Sequence, residues 1–336
     1  ATEDCLQEIV DGINSFYGMV STSYKDILYL DLTGRQDWNS TLATPERTEN
    51  AGFFYPSANL SFVASDVIEL PKQISFAKLR FSASKVGSGT TRPYRTAYNY
   101  VSGGSLYSGG LQNPSTLANP DLRSLSTTTF ELGTDIRFFK SRLNLDVAVY
   151  TGNTKDQILE RIIDQSAGFG KMIINAGTVR NRGLEIAINA KTIKSKNGLN
   201  WNTMFTFAAN DNEIISLPDS SIVLQTGKVG GGQIVAKVGG SMGDLYGLSY
   251  VRSPDGQIVF DSETGNALIG TDVVYLGNTI PKGKISIGNE FRYKQFRLNF
   301  LFDAQYGAVA HSLLNARLSD FGKNKATLPG RYNGII

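Results

Sequence analysis

The side chains that most often carry out chemistry are scarce in this sequence. Among 336 residues there is one histidine, His311, and one cysteine, Cys5. Structural zinc usually takes four Cys or His ligands, so these two cannot make such a site, and Cys5 has no second cysteine in the sequence for a disulfide. A Ser-His-Asp hydrolase would rest on His311 alone. Gly227–Gly232 (GKVGGG) lacks the GxxxxGK[ST] order of a phosphate loop and reads as a loop. Asp261–Asn266 (DSETGN) lacks the acidic ligand that closes a calcium loop and reads as a turn. What remains is an aromatic cluster, Tyr94, Arg95, Tyr98, Asn99, Tyr100 and Tyr107, within residues 88–123. Ring faces, one amide and one guanidinium suit contact with a sugar or a peptide, and they equally suit packing of the loop against a neighbour or partner. No residue is assigned to catalysis, to a cofactor or to a metal. With 33 Lys and Arg against 30 Asp and Glu, the chain carries too little basic excess for a nucleic-acid face.

The elements that must position such a loop are strands. No run of 18 apolar residues is present, so a transmembrane helix is excluded. Alternation with period two dominates instead. Leu143, Leu145, Val147 and Val149 share one parity, with Asn144, Asp146 and Ala148 on the other. Leu184, Ile186 and Ile188 alternate with Glu185, Ala187 and Asn189, and Phe296, Leu298, Phe300 and Phe302 alternate with Arg297, Asn299, Leu301 and Asp303. The pattern predicts about ten strands, over 12–24, 26–37, 51–65, 73–87, 124–139, 142–157, 172–190, 199–212, 284–294 and 295–307. Most hold ten residues or more, and a tilted membrane-crossing strand needs about nine to eleven.

Connections alternate in length. Short turns fall near Lys25, at 66–72, at Lys140–Ser141, at 191–198 and at Lys294–Gln295; long segments fall at 38–50, 88–123, 158–171 and 213–283. An outer-membrane barrel has short periplasmic turns and long extracellular loops, whereas a soluble sandwich has no reason to sort its loops this way. The charges Glu131, Asp135, Arg137, Asp146, Glu185, Glu290, Arg292, Arg297 and Asp303 all fall on the polar parity, which predicts a wet lumen, the alternative from periodicity alone being a soluble antiparallel sheet with one solvated face. Aromatics near strand ends (Phe16, Tyr17, Trp38, Phe53 to Tyr55, Phe138, Phe139, Tyr293) are expected to form interfacial girdles.

Several strand segments resemble the SusC/RagA family of TonB-dependent outer-membrane transporters. They include YLDLTGRQDWNSTL (Tyr29–Leu42), FFYPSANLSFVASD (Phe53–Asp66), ISFAKLRFSASKVG (Ile74–Gly87) and TTTFELGTDIRFFKSRLNLDVAVYTGNTKDQIL (Thr127–Leu159). INAGTVRNRGLEIAINA (Ile174–Ala190) and Leu276–Gly307 continue the series in order. The resemblance implies an all-β, antiparallel transmembrane barrel in which residues 1–336 form a ten-strand stretch of a 22-stranded domain, the plug and the C-terminal strands lying outside it. The loop 213–283 departs from the family: it ends in GTDVVYLGNTIPKGK (Gly270–Lys284) where many members carry an acidic DxNxDG-like run, so no cation site is transferred to that loop. The resemblance further implies a multi-pass location in outer-membrane lipid and import of a bulky glycan or oligopeptide. It implies as partners a SusD-like surface lipoprotein acting as lid and a TonB complex engaged through the N-terminal part. A structural or adhesive barrel that transports nothing is the alternative.

Overall fold

The computed structural model describes residues 11–44, 46–89, 92–104, 109–196, 198–226 and 232–328. Ten long antiparallel strands run in sequence order through the main sheet: β1 (Ile13–Tyr24), β2 (Leu28–Asn39), β3 (Gly52–Val63), β4 (Ile74–Ser88), β5 (Leu125–Phe138), β6 (Leu143–Ile162), β7 (Lys171–Ile193), β8 (Asn200–Ser216), β9 (Gly283–Tyr293) and β10 (Phe296–Tyr306). All ten predicted strands are present. The short connections are tight: Lys25 and Asp26 both have positive φ, at 52° and 57°, the backbone that suits the right-handed twist of a hairpin. β1 and β10 are the free edges, so the sheet is an open arc and not a closed ring.

The register joins the alternation of single strands into continuous rows. Leu30, Leu60, Phe81, Leu132, Val149, Leu184 and Ala209 are successive partners across β2 to β8. Nearer the short turns, Ile136, Leu145, Ile188, Phe205, Ile287 and Phe302 form a second such row across β5 to β10. These rows share one face, because side chains two apart along a strand point the same way. On the opposite face Arg80 of β4 reaches over Gly133 of β5 to chelate Asp146 of β6 at 2.7 and 3.0 Å. A Cβ on Gly133 would lie 2.9 Å from that guanidinium, which is why the strand between the two charges carries glycine. Glu290 lies on the same face, between Arg292 at 3.1 Å and Arg297 at 3.2 Å. The predicted polar parity is therefore a face with its own ion pairs.

The aromatic girdle holds only in part. Phe16, Trp38 and Phe54 lie on the apolar face, the first two edge to face at 6.1 Å. Tyr17 and Tyr55 take the polar parity, each opposite Arg35, and Phe53 packs into a buried cluster with Leu42 and Leu122. Sequence position near a strand end cannot tell a girdle residue from its neighbour on the other face; only register does.

Two predicted long loops are shorter than expected, for one physical reason. Residues 158–171 are partly strand: β6 continues to Ile162 and β7 begins at Lys171, leaving 163–170 as the connection. β6 and β7 hold 20 and 23 residues, about ten more than a membrane crossing needs, and they project beyond the rest of the sheet. On this projection Ile158 and Ile173 join Leu42, Leu122 and Phe53 in one apolar cluster. Leu159, Ile174, Ala176 and Val179 join Ile214, Ile222 and Ala236 in another. Adjacent residues point to opposite faces, so the projecting hairpin is covered on both sides, and strands buried on both faces lose their alternation. The second cover is a four-stranded sheet, Ser221–Thr226, Gln233–Lys237, Asp244–Gly247 and Val274–Asn278, inside the segment expected to be loop 213–283.

Candidate functional site

The segment between β4 and β5 closes over one side of the projecting hairpin. Its Thr116–Leu117 pairs in parallel with Lys171 and Met172 of β7. Leu122, fully buried, anchors its far end, and Asn175 fixes Arg123 through reciprocal backbone bonds of 2.9 Å. Near its start, the Thr96 hydroxyl donates to the Ala43 carbonyl at 2.7 Å, tying it to the segment between β2 and β3. Val101–Ser102 and Leu111–Gln112 form a two-stranded finger. Between finger and hairpin lies an open cleft of about 1220 Å³, lined among others by Tyr94, Asn99, Tyr100, Asn113, Glu160 and Lys171.

The predicted site residues separate into two groups. Tyr94, Asn99 and Tyr100 line the cleft, and the Tyr94 and Tyr100 rings are exposed. Tyr94 has φ of 60°, a left-handed backbone that turns the chain at the cleft edge. Arg95 also lines the cleft but is largely buried and ion-paired with Glu160 of β6. Tyr98 stands behind, edge to face with Tyr100 at 5.3 Å and with Phe169 at 5.9 Å, its hydroxyl donating to Asn113 at 2.7 Å. These two position the loop. Tyr107 lies outside the described residues, as do Cys5 and most of Gly227–Gly232.

Glu160 and Lys171, not singled out in the sequence, organise the charge. Lys171 Nζ donates to Glu160 at 3.0 Å, Arg95 bonds the other carboxylate oxygen, and Arg92 approaches to 4.0 Å. Glu160 lies roughly ten residues beyond the apolar rows. The Lys171 hydrogen bond, outweighing partial burial, and then Arg95 hold its carboxyl below the usual range. Three cations around one carboxylate leave the cleft lining positive. The apolar doublets Ile158–Leu159 and Ile173–Ile174 are the signal that could have placed Glu160 on a two-sided strand.

Elsewhere, Asp261 caps its own turn by accepting from the amides of Glu263 and Thr264 at 3.0 and 2.7 Å, with Gly265 at φ 71°, which is the turn expected of DSETGN. His311 stands exposed after β10. Among the described residues no cluster of three or more His, Cys, Asp or Glu is arranged to hold a metal ion.

The chain matches the family described as "TonB dependent receptor-like, beta-barrel" over residues 9–332. TonB-dependent receptor P26 of Formosa agariphila is 26% identical over 325 residues, covering 90% of this chain and 32% of the relative. TonB-dependent receptor SusC of Bacteroides thetaiotaomicron is 29% identical over 224 residues, covering 62% of this chain and 21% of the relative. Among solved structures, the RagAB peptide transporter superposes with a TM-score of 0.73 at 18% identity, over 88% of this chain and 34% of that one, a likeness of fold. The chain thus spans about a third of the length of P26. Its apolar rows face lipid, its ion-paired face lines the lumen, and its projecting hairpin and long segments form an extracellular head, in an outer-membrane location with multiple passes. The chain belongs to the TonB-dependent receptor β-barrel family, as a SusC/RagA-like stretch of a larger barrel.

Proposed function

We propose that the protein containing this chain imports a bulky nutrient, a glycan or an oligopeptide, across the outer membrane, with energy from the TonB complex and a SusD-like surface lipoprotein as lid. The observation that carries this reading is the pairing of a polar, ion-paired lumen wall with a built extracellular head holding an aromatic and cationic cleft. A barrel serving only as a lipid anchor needs neither. The names of two similar proteins, a TonB-dependent receptor SusC and a RagAB peptide transporter, support TonB-dependent import, and the second supports the peptide arm. Tyr94 and Tyr100 are the ring faces a substrate would meet; Arg95 and Tyr98 hold the loop that presents them. The plug and the remaining wall strands belong to other parts of the same protein, and the barrel carries transport and no catalysis. Deletion of the gene tests the reading: growth on one complex nutrient should be lost while growth on its monomer persists. Unchanged growth on every glycan and peptide tried overturns it.

A further inference from the structure

At the outer end of the lumen wall, on β1 to β4, lies a second concave surface that the extracellular cleft does not include. The β3–β4 ladder stops at Ser57↔Ser84, next to Pro56, whose nitrogen has no proton to donate. Beyond that point β4 stays with β5, pairing up to Ser88↔Leu125. The parting opens a groove of about 410 Å³ on the lumen face. One cross-strand row, Met19, Thr33, Ser57 and Ser84, makes its floor, with the Thr33 and Ser57 hydroxyls bonded at 2.5 Å. The row above is Tyr17, Arg35 and Tyr55.

Arg35 is held from below. Asp37, 6% exposed, accepts from Arg35 Nε at 2.7 Å and from the Tyr55 hydroxyl at 2.5 Å. Arg35 Nη2 donates to Ser15 at 3.0 Å. Both Asp37 oxygens are thus engaged, and the guanidinium, fixed along one edge, belongs to the lining of the groove. Fixing the fork in advance lowers the ordering cost of a further charge-assisted bond. The lumen-face lining holds Arg35 as its cation and contains no acid, and the Tyr17 ring stands beside Arg35 on the same face. The groove therefore offers donors, hydroxyls and an aromatic face, with no free acceptor of comparable strength.

We propose that this groove is a carboxylate-recognition subsite on the import path, in which Arg35 binds an acidic group of the transported molecule and Tyr17 covers its apolar part. The subsite rests on the import reading above and specifies its substrate class. The acidic group is a peptide carboxylate or a uronic acid, the same chemistry from two sources. Asp37 is a positioning residue that acts through Arg35.

The test uses the full-length receptor, purified in detergent, with titration of two matched probe pairs: triglutamate against triglutamine, and trigalacturonate against trigalactose. Wild type should prefer the acidic member of one pair, and which pair does so identifies the source. Arg35→Gln should erase that preference, a loss of roughly tenfold or more for the acidic probe, with the neutral probe unchanged. Because Arg35→Gln leaves Asp37 with one fewer partner, Tyr17→Ala, which removes an exposed ring, is the second variant and should weaken the acidic probe in a barrel that assembles normally by heat-modifiable mobility. No acid preference in wild type, or a preference kept in both variants, overturns the subsite. Growth separates the two proposals: nutrient use lost on deletion but intact in Arg35→Gln overturns the subsite and leaves import standing, whereas use that survives deletion overturns import.

Discussion

The lumen wall and the extracellular head are built from the same strands by opposite rules. In the wall, β2 to β9 present one apolar and one polar face, and few of its side chains are buried, because lipid covers one side and the lumen the other. In the head, the extensions of β6 and β7 are covered on both sides, and the fully buried apolar side chains gather there: Leu42 and Leu122 on one face, Ile214 and Ile222 on the other. A bilayer supplies the wall with its apolar partner, whereas the head stands in water and must bury its own core. The wall is therefore specified by the parity of its residues and the head by their volume, which gives the two regions different sensitivities to substitution.

The sharpest way to break that distinction is to remove volume. Leu122→Ala or Ile214→Ala, each at a site with no exposed surface, should destabilise its side of the head by about 2–5 kcal/mol. The loss should stay local: proteolysis should cut the 89–124 segment in the Leu122 variant and the 217–282 segment in the Ile214 variant, while heat-modifiable mobility of the barrel is unchanged. A Leu122 variant that fails to assemble at all would mean that head and wall fold as one unit.

Parity is the test of the wall. Val149→Lys puts a charge in the lipid-facing row farther from the short turns and should cost roughly 2–4 kcal/mol, read as lost membrane assembly. Asn299→Lys, on the lumen face opposite Glu290, should assemble as well as wild type. Equal outcomes at the two positions would contradict the assignment of faces.

Parity and volume also explain what could be read in advance. Every wall strand was legible because its two faces differ in polarity, and the alternation in Leu143–Val149 or Leu184–Ile188 registers that difference directly. It fails where both faces are alike. Ile158–Leu159 is an adjacent apolar pair, which breaks the period and made the end of β6 look like a loop. The four-stranded sheet within 217–282 was missed for a related reason: its strands hold four to six residues, too few to establish a period. Of the candidate site, Tyr94 and Tyr100 could be named from composition. The anchoring roles of Arg95 and Tyr98 could not, since Glu160 lies 65 residues from Arg95, and Asn113 lies 15 from Tyr98. Tyr17 and Arg35 were visible only as strand residues; their meeting depends on the β1–β2 register and on the buried Asp37.

A smaller effect bears on how the head holds its cleft. Glu160 bonds Lys171 beside it and Arg95 on the covering loop. Its carboxyl is held below the ordinary value of 4.5, so the pair contributes stability above that value and loses it as pH falls through the lower folded one. Docking of the loop should therefore be unchanged from pH 8 to 5 and should loosen only as pH falls below the ordinary carboxylate value. Amide exchange at Leu117 and Asn119, corrected for the intrinsic rate, reads this directly. Glu160→Gln should raise exchange at neutral pH by a modest factor, since an ion pair this accessible is worth at most about 1 kcal/mol, and should remove the acid step. Loosening already complete between pH 7 and 5 would show that another group controls the loop. The wall gives the contrasting expectation: Arg80 and Asp146 bridge two strands that are paired to β5 over Ile74–Ser88 and Leu143–Lys155, so Asp146→Asn leaves the strands in place, whereas the covering loop holds β7 through a two-residue ladder and the Asn175–Arg123 bonds.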